Sequence, residues 1–223
     1  MTGPVIAVID YGIGNLRSAE KALQHMGGDA RLSSDPAFIA AADAVVLPGV
    51  GAFGACMSSL RSCGLEQAAI DAASSGRPFL GICVGMQMMF DRSEEDPAAV
   101  GLGIIPGVIQ WIPPGVKRPQ MQWNQLQMQR PDDPMMAGLG VSPWLYFVHS
   151  LHGVPTDPAD VVATCDYGAR LNVAFRRGMV FATQFHPEKS GPSGLALLGN
   201  FVAAAAAAAV ATAAAAEILE IAR

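Results

Sequence analysis

Apolar and polar positions follow two regimes along the chain. Up to about residue 92, short solid apolar runs alternate with longer, helically periodic segments. The runs are Val5 to Asp10, Ala30 to Ser33, Ala44-Val45-Val46-Leu47 and Pro78 to Ile82, each of the kind buried on both faces of a parallel sheet. Between them the pattern predicts a helix from Leu16 to about Met26, which Asn15 can cap and Gly27-Gly28 stop. A second helix follows Pro36, and a third runs from Met57 to Ala73. The alternation predicts an α/β fold: an open, mostly parallel sheet with helices on both faces. Beyond Gly101 the pieces become strand-like: Ile104 to Ile112, Met121 to Gln129, Trp144 to Val154, Val161 to Cys165, Leu171 to Arg176 and Val180 to Phe185. This half is predicted to add a largely antiparallel portion, with its last strand returning to the main sheet.

The tail changes regime again. Most of Ala203 to Ala216 is alanine, the residue with the highest helix propensity. Leu195 to Ala216 carries no charge over 22 residues, enough to span a bilayer by count. Alanine anchors poorly in lipid, and Gly199 and Asn200 interrupt the run, so the prediction is a long soluble helix and no membrane. We read residues 1–202 as one domain and 203–223 as an alanine-rich helical extension.

Composition narrows the function classes. The 223 residues are 51% apolar and only 15% charged, which suits a large buried core. A net charge of −5 and few lysines argue against a nucleic-acid surface. The four cysteines (Cys56, Cys63, Cys83, Cys165) show neither metal-ligand spacing nor a disulfide framework, so free thiols in a reducing compartment and no metal are expected. Val5 to Asp10 is too short for a signal peptide, which points to the cytoplasm.

Candidate chemistry centres on Gly81-Ile82-Cys83-Val84-Gly85, where an apolar run meets the start of a helix at Met86. A nucleophile on a sharp strand-to-helix turn needs neighbours without side chains, because the backbone is crowded there. A helix N-terminus favours thiolate, and the Val84 N–H would point where an oxyanion forms. A buried cysteine in a Gly-rich turn accounts for the same residues. A second stretch, Met179 to Phe185, delivers His186-Pro187-Glu188 at a strand end. A thiol needs a base, and the base needs a group that holds its tautomer; His186 and Glu188 offer both. Pro48-Gly49-Val50-Gly51-Ala52-Phe53-Gly54 follows the third strand, at the sheet edge where ligands bind, and its glycines suit a second oxyanion donor. Gly12-x-Gly14 lacks the third glycine of a dinucleotide site, with Arg17 in its place, and that reading is rejected.

These residues resemble the class I (triad) glutamine amidotransferases, and within them the glutaminase subunits of imidazole glycerol phosphate synthase, over roughly residues 5–201. The likeness rests on Ile9 to Leu16, Pro48 to Gly54, Gly81 to Gln87, Trp123-Asn124, Tyr146 to Ser150 and Gln184 to Ser190. It implies a flavodoxin-like sheet and a reaction in which Cys83 attacks glutamine, His186 relays the proton and Glu188 orients the base. Val50, Gly51 and Val84 would form the oxyanion site, while Gln87, His149, Ser150 and Leu151 would hold the substrate. No cofactor is implied. The released ammonia would pass to a (β/α)8-barrel synthase subunit in a heterodimer of histidine biosynthesis, with Asn15, Trp123 and Lys189 near the interface. Gln120 and Gln122 flank Met121 where the family usually has His and Gly, and Leu151-His152 stands where aromatic residues are common. Other readings of the same residues are a glutaminase subunit of another amidotransferase, a stand-alone cysteine hydrolase of this fold and a catalytically silent binding module.

Overall fold

Hydrophobic runs too short for helices become the centre of one sheet. A computed structural model describes the fold of residues 3–221 and side-chain burial through Ala214. In chain order the elements are β1 (Val5–Ile9), α1 (Leu16–His25), β2 (Asp29–Ser33), α2 (Pro36–Ala41), β3 (Ala44–Gly49), α3 (Phe53–Ser62), α4 (Glu66–Ser74), β4 (Phe79–Cys83) and α5 (Val84–Met88). There follow β5 (Arg92–Ser93), β6 (Asp96–Val100), β7 (Gly107–Trp111), β8 (Gln120–Gln125), β9 (Gln127–Met128), β10 (Trp144–His149) and β11 (Leu151–Pro155). The chain closes with β12 (Val161–Asp166), β13 (Arg170–Arg177), β14 (Val180–Thr183) and α6 (Gly191–Ile221).

The main sheet has the order β2-β1-β3-β4-β14-β13-β12-β9. Its first five strands are parallel neighbours, and β13, β12 and β9 continue it antiparallel. Every residue of β3 and β4 is buried, as expected of strands covered on both faces. Two smaller sheets stand beside it: β10-β8, which is antiparallel, and β11-β7-β5-β6, in which β5 and β7 run parallel and the other pairs antiparallel. Register then assembles the site. Gly49 lies opposite Cys83, and Thr183 opposite Ile82, so the carboxyl ends of β3, β4 and β14 meet at one edge.

Three local expectations need correction. The helix expected from Met57 to Ala73 is two helices, because Gly64 turns back at φ 69° between α3 and α4. The strand expected from Trp144 to Val154 breaks at Ser150, and its halves join different sheets. Asn15 precedes α1 but makes no capping hydrogen bond; its amide is directed elsewhere. By contrast, Asp35 caps α2 by accepting from the Ala37 N–H, with Pro36 at the first helical position.

Up to Ile221 the alanine-rich stretch continues α6, and residues 222–223 of the expected extension lie outside the described residues. Leu197, Leu198, Phe201 and Ala205 of α6 are buried in the core, whereas Val210 and the four residues after it are exposed. By length and composition alone, Gly191–Ala214 could cross a membrane.

Candidate active site

Cys83 ends β4 and starts α5 with φ 55° and ψ −114°, the one positive φ of a non-glycine residue among the described residues. Such a conformation costs roughly 1–3 kcal/mol and persists only where the surroundings impose it. The neighbouring glycines show what imposes it. A Cβ on Gly85 would collide with the Leu47 carbonyl, and one on Gly81 would strike the Met89 sulfur. The start of α5 therefore lies directly against the end of β3, and the turn has no room to relax.

His186 leaves β14 on the adjacent strand. Its Nδ1 lies 2.8 Å from Glu188 Oε1, and both side chains are 2% exposed. With Nδ1 engaged there, Nε2 is the nitrogen left for Cys83, which lines the same cleft. Ser190 Oγ donates to the His186 carbonyl at 2.6 Å and accepts from the Tyr146 N–H at 3.0 Å, tying this turn to β10. Burial pulls the His186 pKa down, but the neighbouring Cys83 and the hydrogen bond to Glu188, with the charges of both, outweigh it and raise the pKa to about 10. The ring is thus an imidazolium at neutral pH.

A cleft of about 600 Å³ opens over the thiol. Val50, Gly51, Val84, Gln87, His149, Ser150 and Leu151 all line it, together with Cys83 and His186. Val84 is the first residue of α5, so its N–H has no acceptor within the helix. His149 Nδ1 lies 2.7 Å from the Leu151 carbonyl and donates to it, so Nε2 is left as an acceptor without a partner among the described residues. Burial pulls the His149 pKa down to about 4, and the nearby His186 charge adds to that pull, so this second imidazole stays neutral.

The residues expected at a partner interface separate. Lys189 and Asn15 line the cleft, whereas Trp123 lies on β8, 47% exposed and edge-on to Tyr146. Asn15 does more than face outward: its Nδ2 donates to Glu188 Oε1 at 3.1 Å, the same oxygen that meets His186.

Two residues at the site were passed over in the sequence. Gln184 accepts from Gln87 Nε2 at 3.0 Å through its Oε1, and its own amide donates to Cys83 Sγ at 3.8 Å. A glutamine between the apolar run of β14 and the His186 turn is the signal that could have found it. Glu95 lines the cleft and accepts from the Phe53 N–H at 2.7 Å, holding the segment that follows the Gly-rich loop. It stands in an acidic run after the elbow that reads, by sequence, as solvated surface.

Comparison with known proteins agrees with this geometry. Residues 7–205 match the family model described as glutamine amidotransferase class-I. The chain is 51% identical over 200 residues to the imidazole glycerol phosphate synthase subunit HisH of a Synechococcus species, covering 88% of this chain and 92% of that protein. It is 48% identical to the HisH subunits of Methylococcus capsulatus and Methanothermobacter thermautotrophicus, covering 88% and 89% of this chain and 95% and 98% of theirs. A crystal structure of a glutamine amidotransferase superposes with a TM-score of 0.70 at 21% identity, over 89% of this chain and 98% of that one. The PurLQS structure from Thermotoga maritima gives 0.72 at 20% identity, over 90% and 98%; at such identities the likeness is one of fold.

Proposed function

The chain belongs to the class-I glutamine amidotransferase family, and from that premise we propose that it is the glutaminase subunit of an imidazole glycerol phosphate synthase. The observation that carries the reading is the buried Cys83–His186–Glu188 constellation at the floor of the cleft. Glutamine enters with its side-chain amide over Cys83. The sulfur attacks the amide carbon, and the carbonyl oxygen becomes an oxyanion facing the N–H groups of Val84 and of Val50 or Gly51. His186, held by Glu188, gives its Nε2 proton to the departing nitrogen as the C–N bond breaks, releasing ammonia and leaving a thioester. Water, deprotonated by the now neutral imidazole, cleaves the thioester to glutamate and restores the thiol. Gln87, His149, Ser150 and Leu151 border the remainder of the substrate.

Ammonia in neutral water is mostly protonated and no longer nucleophilic, so a protected exit is needed. We assign that exit to a (β/α)8-barrel synthase subunit, which uses the ammonia to form imidazole glycerol phosphate and AICAR in histidine biosynthesis. The heterodimer would be cytoplasmic. Trp123, Lys189 and Asn15 border the face it would cover, and the 50%-level identity to HisH subunits supports this partner over those of other amidotransferases.

The test is glutamate release from the chain alone, with a barrel partner, and with partner plus nucleotide substrate. Release should be low alone, highest with both, and abolished by Cys83→Ala. Full activity without any partner would favour a stand-alone hydrolase, and wild-type turnover by Cys83→Ala would refute the nucleophile.

A further inference from the structure

Two buried donors that take no part in the triad hold the backbone of the Gly-rich loop. The Tyr11 hydroxyl donates to the Pro48 carbonyl at 2.8 Å. The Cys56 thiol donates to the Val50 carbonyl at 3.3 Å. Both side chains are fully buried. They come from different elements, Tyr11 from the turn after β1 and Cys56 from the first turn of α3. Ser59, also on α3, ties the two sides together by donating to the Tyr11 carbonyl at 2.6 Å. The fit is tight: a Cβ on Gly49 would stand 2.9 Å from the Tyr11 hydroxyl oxygen.

The anchored carbonyls belong to the residues on either side of Gly49. Between them lies the Gly49–Val50 peptide, whose N–H finds no acceptor among the described residues. We infer that Tyr11 and Cys56 are positioning residues for the oxyanion loop, fixing the Pro48 and Val50 carbonyls so that the intervening peptide alone is left to turn its N–H to the substrate oxygen. The inference rests on the glutaminase reading of the cleft. Burial raises the pKa of both groups, so each keeps the proton it donates at neutral pH. An apolar pair of the same size would fill the space but leave two buried carbonyls unpaired and the loop free to settle with a carbonyl facing the thiol.

The experiment uses the full chain in complex with its barrel partner and saturating nucleotide substrate, measuring glutamate release by wild type, Cys56→Ala, Cys56→Ser, Tyr11→Phe and Cys83→Ala. Cys56→Ala is expected to lower kcat about tenfold, the rate equivalent of one ordinary hydrogen bond, with KM for glutamine within about twofold. Cys56→Ser, whose hydroxyl can also donate to Val50, should recover most of the loss. Tyr11→Phe removes a single oxygen atom and should repeat the kcat effect even if the alanine variant folds poorly. Wild-type kcat in both Cys56→Ala and Tyr11→Phe overturns the inference. So do equal losses in Cys56→Ala and Cys56→Ser, which would make the thiol a packing group. A wild type no faster than Cys83→Ala would instead bring down the glutaminase reading, and this inference with it.

Discussion

The backbone at Cys83 lends itself to a direct test, because one substitution removes the strain and another keeps it. Cys83→Ala and Cys83→Gly both delete the thiol and the hydrogen bond it accepts from Gln184, so they differ only in the Cβ. At φ 55° and ψ −114° a Cβ is strained by roughly 1–3 kcal/mol, and glycine is not. Two terms oppose glycine: a folding entropy cost of about 0.5–1 kcal/mol, and the loss of one buried methyl at about 0.8 kcal/mol. At an ordinary buried position with negative φ, glycine would trail alanine by about 1.5 kcal/mol on those two terms alone. Adding back the middle of the strain range leaves Cys83→Gly about 0.5 kcal/mol more stable than Cys83→Ala. For a chain of this size, that reversal from the ordinary case is a melting difference of about 4–8 °C. Urea unfolding of both variants, with equal slopes, measures it. If glycine trails alanine by the full ordinary amount, the elbow is not strained, and the crowding argument for Gly81 and Gly85 fails as well.

Three further outcomes follow from other parts of the structure. Gly85→Ala should cost about 3 kcal/mol or more, since its Cβ meets the Leu47 backbone carbonyl, while Gly81→Ala, which meets the flexible end of Met89, should cost less; equal melting losses would contradict the asymmetry. His149 is held neutral with its pKa lowered from 6.5 to about 4, so its contribution to stability is present above pH 6.5 and lost as pH falls toward 4. Melting scans over that range should flatten in His149→Gln, and an unchanged slope would assign the acid sensitivity to other groups. Deleting residues from Val210 onward should leave melting temperature and glutamine hydrolysis near wild type, because residues 210–214 are exposed while the core contacts of α6 end at Ala205; a loss of solubility would show instead that the tail covers apolar surface.

The parallel half of the fold was legible because its strands are buried on both faces, and a solid apolar run such as Ala44-Val45-Val46-Leu47 has few other uses. The glycines around Cys83 were legible for a similar reason, since backbone contacts as close as that of Gly85 to Leu47 exclude every side chain. The proposed proton-transfer residues could be named because the chemistry restricts the choice: a thiol nucleophile needs a base, and His186-x-Glu188 offers a base and an orienter on one turn. What the sequence could not carry was contact across long separations. Asn15 looks like a helix cap, as a polar residue before an apolar-periodic segment should. Only the pairing of β4 with β14, and the turn after it, brings Glu188 within 3.1 Å and gives its amide a better acceptor. Gln184 and Glu95 sit in local patterns that say strand and surface; their partners, Gln87 and the Phe53 N–H, lie 97 and 42 residues away. The break at Ser150 likewise shows in the sequence only as a polar His149-Ser150 step within a strand-like stretch, because what ends the strand is the pairing of its halves with two different sheets. Local propensity and residue chemistry thus determined the sheet and the elbow and singled out the residues of the proposed triad. The hydrogen-bond partners that complete the site were decided by tertiary register, where a side chain's energy depends on neighbours that no local window contains.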